Sequence, residues 1–169
     1  DTAALLSAFA TYAAGFLIRP FGAIIFGRVG DLVGRKYTFL VTIFVMGLAT
    51  FAVGLLPTFG SQTLPIIGEV AGIGWMAPVL LVTLRLMQGL ALGGEYGGAA
   101  TYVAEHSQPG TRGYATSWIQ TTATLGFLLA LVVIGSCRFF FFDAKAFAEW
   151  GWRVPFLISL LPLVFSIYI

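Results

Sequence analysis

Arg19, Arg85 and Glu95 each lie inside a long apolar run of the chain, where a charge is least tolerated. A charged side chain left alone in hydrocarbon costs at least about 2.5 kcal/mol on the membrane-insertion scale, so each needs a partner or a water-filled cavity. Arg85 and Glu95 share one segment. Ten residues of helix at about 100° each set them roughly 80° apart in azimuth and about 15 Å apart along the axis, too far to pair directly. Tyr12, Phe16 and Arg19 recur at helical spacing, so one stripe of the first apolar segment faces something more polar than lipid. The alternative for Arg19 is that it snorkels to the headgroups. Residues for other chemistries are scarce. With one histidine, His106, one cysteine, Cys137, and scattered acids, neither a nucleophile-base pair nor a metal cluster is visible, which argues against a membrane-embedded enzyme. His106 falls at a segment end, where a solvated capping role competes with a proton relay, and Cys137 reads as a small buried apolar residue.

The elements that must hold these residues are membrane helices. The 169 residues are 59% hydrophobic and only 9% charged, with a mean hydropathy of +0.94, too apolar for a wetted surface. Twenty-one glycines suit helices packed closely in lipid, and the apolar runs are too continuous for the alternating strands of a barrel. The expected class is all-α integral membrane, with the lipid bilayer as its surroundings. A net charge of +2 from dispersed cations leaves no nucleic-acid footprint, and no cleavable signal peptide is visible after Asp1.

Five spans are expected, over about 2–26, 37–56, 78–103, 114–134 and 154–169, each long enough or nearly so for a ~30 Å hydrocarbon core. Pro20 is expected to kink the first. Between the first two lies Gly27-Arg28-Val29-Gly30-Asp31-Leu32-Val33-Gly34-Arg35-Lys36, a charge-rich stretch that reads as a tight, structured turn. The next loop, from Pro57 to about Trp75, has Glu69 and no Lys or Arg, so the positive-inside rule puts the charge-rich turn in the cytoplasm. Thr63 to Ile67 is too short to cross and is expected at the interface. In the third span Gly89, Gly93 and Gly97 form an every-fourth-residue row, with Gly94 and Gly98 beside it, that lets a neighbouring backbone approach. The fourth carries Tyr114, Ser117, Trp118, Gln120, Thr121, Thr122 and Thr124, which either line a permeation path or bond across to neighbouring helices. Phe139 to Phe142, Trp150 and Trp152 read as interfacial anchors.

The form Gly27-x-x-x-Asp31-x-x-Gly34-Arg35-Lys36 closely resembles the signature loop between helices 2 and 3 of the major facilitator superfamily of secondary transporters. Arg85-Leu86-Met87-Gln88-Gly89 looks like that superfamily's fourth-helix motif. Gly93-Gly94-Glu95-Tyr96-Gly97-Gly98, Arg19-Pro20 and Trp150 to Phe156 are similar to its metabolite:proton symporter family. The resemblance covers most of the chain in order and implies helices 2 to 6 of a twelve-helix fold, part of the N-terminal six-helix bundle. It implies a multi-pass protein of the bacterial cytoplasmic membrane that moves a small metabolite with protons by alternating access, with no cofactor beyond the coupling ion and the missing remainder of the transporter as its partner. Known members carry dicarboxylates, 2-oxoglutarate, betaine or proline, and shikimate-like acids.

On the resemblance, Gly27, Asp31, Gly34, Arg35 and Lys36 form a cytoplasmic gating loop. Asp31 faces a helix N-terminus in the other half, where the dipole favours a carboxylate, and Arg35 pairs with a cytoplasmic carboxylate. Leu32 departs from the family's usual Arg or Lys, so one contact of that latch is missing, and the first outer loop is longer than usual. A plain topogenic turn is the alternative. Arg19 and Arg85 become candidates for an anionic substrate or for charge compensation, with Tyr12, Gln88, Trp118 and Thr121 along the path and Gly89, Gly93 and Gly97 for packing. Glu95 is the candidate proton carrier, since a carboxyl removed from water holds its proton more tightly; the alternative is an acid that ties two helices together. The fourth span lacks the Gly-Pro-rich motif of the drug-antiporter branch. A facilitator without proton coupling and a non-transporting structural subunit remain as alternatives.

Overall fold

A computed structural model describes residues 2–64, 68–141 and 143–168. Asp1, residues 65–67 of the expected interfacial piece, Phe142 of the phenylalanine run and Ile169 of the fifth span lie outside the described residues.

The first span is two helices in line, α1 (Thr2–Leu17) and α2 (Arg19–Val33), broken at Ile18. Pro20 has no N–H to give the Phe16 carbonyl four residues back, so the ladder opens there, and Gly22 resumes it by bonding to the Ile18 carbonyl at 3.2 Å. α2 then continues through most of the charge-rich stretch, which corrects the expected turn. Gly27 and Asp31 are helical, Arg35 and Lys36 open α3 (Arg35–Leu55), and only Gly34 leaves the helix. The reason is local: nothing from Gly27 to Val33 breaks a helix, whereas Gly34 takes φ of 112°, which a side chain would oppose. Its N–H bonds to the Gly30 carbonyl and its own carbonyl accepts from Thr38, so one residue closes α2 and starts α3.

The first outer loop contains a short antiparallel hairpin, β1 (Gln62–Leu64) with β2 (Gly68–Val70), that hydropathy did not signal. It leads into α4 (Met76–His106), with Pro78 in its first turn, and α5 (Arg112–Ser136) follows. Beyond α5 come a π-helical stretch (Cys137–Phe141), a single turn α6 (Ala144–Ala146) and a second π-helical stretch (Phe147–Gly151). The last expected span is helical in two pieces, α7 (Arg153–Ile158) and α8 (Leu160–Tyr168). Pro162 cannot donate to the Ile158 carbonyl, and the Ser159 hydroxyl turns back to the Phe156 carbonyl at 2.6 Å. Among the described residues four stretches are long and apolar enough to cross a membrane: Thr2–Val33, Arg35–Leu55, Met76–His106 and Arg112–Phe139.

α4 is the central strut and packs against α1, α2, α3 and α5, while α3 also carries α7 and α8. Backbone contact sets the first of these interfaces. A Cβ at Gly22 would lie 2.0 Å from the Leu90 carbonyl oxygen, one at Gly89 2.0 Å from that of Gly15, and one at Gly93 2.1 Å from that of Arg19. Gly97 of the same row meets nothing within 4 Å among the described residues, unlike Gly89 and Gly93. On the outer side, buried Arg153 donates to the Gly54 carbonyl at 3.1 Å and the Leu56 carbonyl at 2.7 Å. It thereby answers unpaired acceptors at the α3 C-terminus, where a cation is also favoured by the helix dipole. α5 has no buried residue and presents its apolar flank outward.

Candidate functional site

Five elements converge on a cleft of about 210 Å³ within the span region. α1 supplies Tyr12 and Phe16, the start of α2 supplies Arg19, α3 supplies Met46 and Thr50, α4 supplies Arg85 and Gln88, and α7 closes one side with Phe156. Tyr12, Phe16 and Arg19, at helical spacing along the first span, line the same cleft. Arg19 stacks over the Phe16 ring with its guanidinium carbon 4.3 Å from the ring centroid, and its buried Nε has no hydrogen-bond partner among the described residues.

Arg85 is held by a relay. Its Nη1 donates to Gln88 Oε1 at 3.0 Å, Gln88 Nε2 donates to Thr50 Oγ1 at 2.9 Å, and the Thr50 hydroxyl donates to the Met46 carbonyl at 2.8 Å. The cleft thus holds two guanidinium groups, an amide, a hydroxyl and a phenol, and no carboxylate among its described lining residues. Such a site is chemically suited to a carboxylate or another small anion.

Glu95 does not line this cleft. It lies one turn past Leu92 on the stripe that carries Arg85 and Gln88, and its Oε2 is buried without a hydrogen-bond partner among the described residues. No bond from it to a second helix is present among those residues.

A second cleft, of about 280 Å³, opens at the end of the helices that carries the charge-rich stretch, between α2, the start of α3 and α4. Gly27, Asp31 and Arg35 of the residues read as a gating loop line it with Gly93 and Gly97, while Gly34 and Lys36 do not. Arg35 pairs with Asp31 Oδ1 at 3.5 Å and, across the groove, with Glu105 Oε1. The Asp31 side chain is 70% exposed, so the pair is worth little to stability and leaves the carboxylate open to a partner. Lys36 points outward and is exposed.

Trp118 and Thr121 stand apart from both clefts on the exposed α5. Trp118 meets Tyr114 edge to face with ring centroids 6.3 Å apart. The α5 hydroxyls neither line the cleft nor bond across: Thr116, Ser117, Thr121, Thr122 and Thr124 all return to carbonyls of their own helix. Helix in an apolar setting favours this, since the carbonyls three and four residues back are the nearest acceptors. His106 likewise contacts the Tyr102 carbonyl at 2.9 Å and stacks on its ring, as a helix-end residue.

The residues that sequence reasoning missed are Thr50, Met46, Phe156 and Arg153. A signal for the first two existed: Thr38, Thr42, Met46 and Thr50 form an every-fourth-residue row in α3, and Thr38 and Thr42 are buried.

Residues 3–169 match the family described as sugar (and other) transporter. The chain is 40% identical over 164 residues to the shikimate transporter of Escherichia coli, covering 97% of this chain and 35% of that protein. It is 38% identical over 167 residues to the proline/betaine transporter of Salmonella typhimurium, covering 98% of this chain and 31% of that one. In fold it is similar to the xylose transporter XylE of E. coli in a partially occluded inward-open conformation. The TM-score is 0.75 at 20% identity, over 96% of this chain and 38% of that one. The chain spans about a third of the length of the curated relatives it matches.

Proposed function

This chain belongs to the sugar (and other) transporter family of the major facilitator superfamily, and from that premise we propose that it is part of the N-terminal half of a proton-coupled symporter for a small carboxylate-bearing metabolite. The family is one of membrane transporters rather than enzymes. The observation that carries the substrate class is the cleft itself, in which Arg19 and Arg85 face a shared space with no acid among its described lining. Two cations in low dielectric attract an anionic group strongly, and shikimate, proline and betaine, named for the relatives, all carry a carboxylate. An organic anion or a zwitterion therefore suits the site. Tyr12 and Gln88 add polar contacts that orient the ligand.

Transport follows from alternating access, in which two helical halves rock about a site near the bilayer midplane. In this scheme the Arg35 cluster with Asp31 and Glu105 belongs to the cytoplasmic closure, made when Asp31 meets the opposing half. Glu95 carries the proton. What supports this is a buried carboxyl oxygen without a partner, on the stripe that leads from the arginine cleft toward the cytoplasmic end. Protonated, Glu95 is neutral while the halves rock around it, and release of its proton to the inside resets the cycle.

Uptake by proteoliposomes containing the full-length gene product tests the proposal, with 2-oxoglutarate, citrate, shikimate, betaine and proline offered with and without an inward proton gradient. One of these compounds is expected to accumulate, and faster with the gradient. Gradient-independent uptake would make the protein an uncoupled facilitator. Failure of every compound, from correctly inserted protein, would move the weight to a structural subunit.

A further inference from the structure

We infer that Thr50 is a positioning residue for Arg85: by fixing the amide of Gln88 it fixes the direction in which the guanidinium meets a ligand. This rests on the transporter reading above only for its functional consequence; the geometry stands by itself. Arg85 has donors and no acceptor, so the atom of Gln88 that faces it must be Oε1, as found at 3.0 Å. That leaves Nε2 pointing away, in need of an acceptor in a half-buried place. Thr50 Oγ1 provides one at 2.9 Å. It can accept because its single proton is already committed to the Met46 carbonyl at 2.8 Å. The order of donors runs one way along the relay, from guanidinium to α3 backbone, and a reversed amide would set two donors against each other at Arg85.

The relay also spans two helices. Arg85 and Gln88 lie one turn apart on α4, but Thr50 belongs to α3 and reaches them from across the interface. An arginine side chain carries large rotational freedom, and each restraint placed on it before binding lowers the ordering cost that binding would otherwise meet. Thr50 is thus a group that acts on the ligand through two other side chains, from an α3 row that otherwise serves packing.

Thr50→Val keeps the shape and removes the acceptor. Thr50→Ser restores it. In the full-length gene product, Thr50→Val is expected to raise KM about tenfold with maximal rate little changed, the upper size of one lost neutral hydrogen bond. Thr50→Ser is expected to remain near wild type. In a Gln88→Leu background Thr50→Val is expected to add nothing, because its action passes through Gln88. An additive loss there would mean that Thr50 serves packing or touches the ligand directly, and would overturn the inference. A second readout needs no transport. The detergent-purified protein is treated with phenylglyoxal, an arginine reagent, and labelling at Arg85 is followed by peptide mass spectrometry. A released guanidinium reacts several-fold faster in Thr50→Val and at the wild-type rate in Thr50→Ser. Equal labelling of wild type and Thr50→Val would overturn the inference whether or not the protein transports anything. Absence of uptake by the wild type, by contrast, would count against the symporter reading, and labelling would still decide the role of Thr50.

Discussion

Full-length protein carrying Arg85→Lys is expected to take up substrate about a hundredfold less efficiently than wild type, although the charge is unchanged. Lysine loses the planar fork that engages a carboxylate through two parallel hydrogen bonds, because its three N–H donors diverge from one nitrogen and, with one held by Gln88, present no parallel pair to a ligand. Each hydrogen bond to a charged group is worth about 1.5–3 kcal/mol. Two of them correspond to at least about a hundredfold in efficiency. The measurement is initial uptake rate against concentration in proteoliposomes of matched protein content. Activity within about threefold of wild type would mean that a point charge suffices there, and the directional role given to Arg85 would be wrong.

The other large effect concerns packing, and it separates two residues that look equivalent in sequence. Gly93→Ala is expected to lower thermal stability sharply in detergent, whereas Gly97→Ala is expected to leave it unchanged. At Gly93 the added Cβ would lie 2.1 Å from the Arg19 carbonyl oxygen, and this neighbour is rigid backbone rather than the flexible end of a side chain. The first span must then move away from α4, opening the contacts of Gly22 with Leu90 and of Gly89 with Gly15 together. Overpacking of this kind costs about 1–3 kcal/mol even in adaptable cores. In lipid, where helix association relies on close van der Waals fit, little offsets it. Arg19 is part of the displaced backbone, so the cleft is expected to lose its shape with the interface. Equal melting curves for the two variants would contradict the structure's placement of the close approach.

These cases also mark how far the sequence could be read. Charges buried in apolar runs pointed to Arg19 and Arg85, and the structure brings both to one cleft with Tyr12 and Gln88. Helical periodicity exposed the glycine row but not which of its members meet a neighbouring backbone, because that depends on the path of the other helix. The charge-rich stretch looked like a turn since polarity was used as the signal. Helix termination is instead a matter of backbone conformation, and only Gly34 provides it. Trp118 and Thr121 were polar enough to suggest a path, yet hydroxyls that bond their own backbone give the same pattern along α5. Thr50 and Arg153 act across long separations in the chain, on Gln88 and on the end of α3, and spacing within one segment carries no trace of that.

The central claim is that ligand and proton move together. It is tested most directly with a pH-sensitive dye trapped inside proteoliposomes of the full-length protein, with no gradient imposed and external substrate added. Coupled symport predicts prompt acidification of the lumen in step with substrate entry, and its loss in Glu95→Gln while substrate exchange persists. Substrate entry with no change in internal pH would contradict the account.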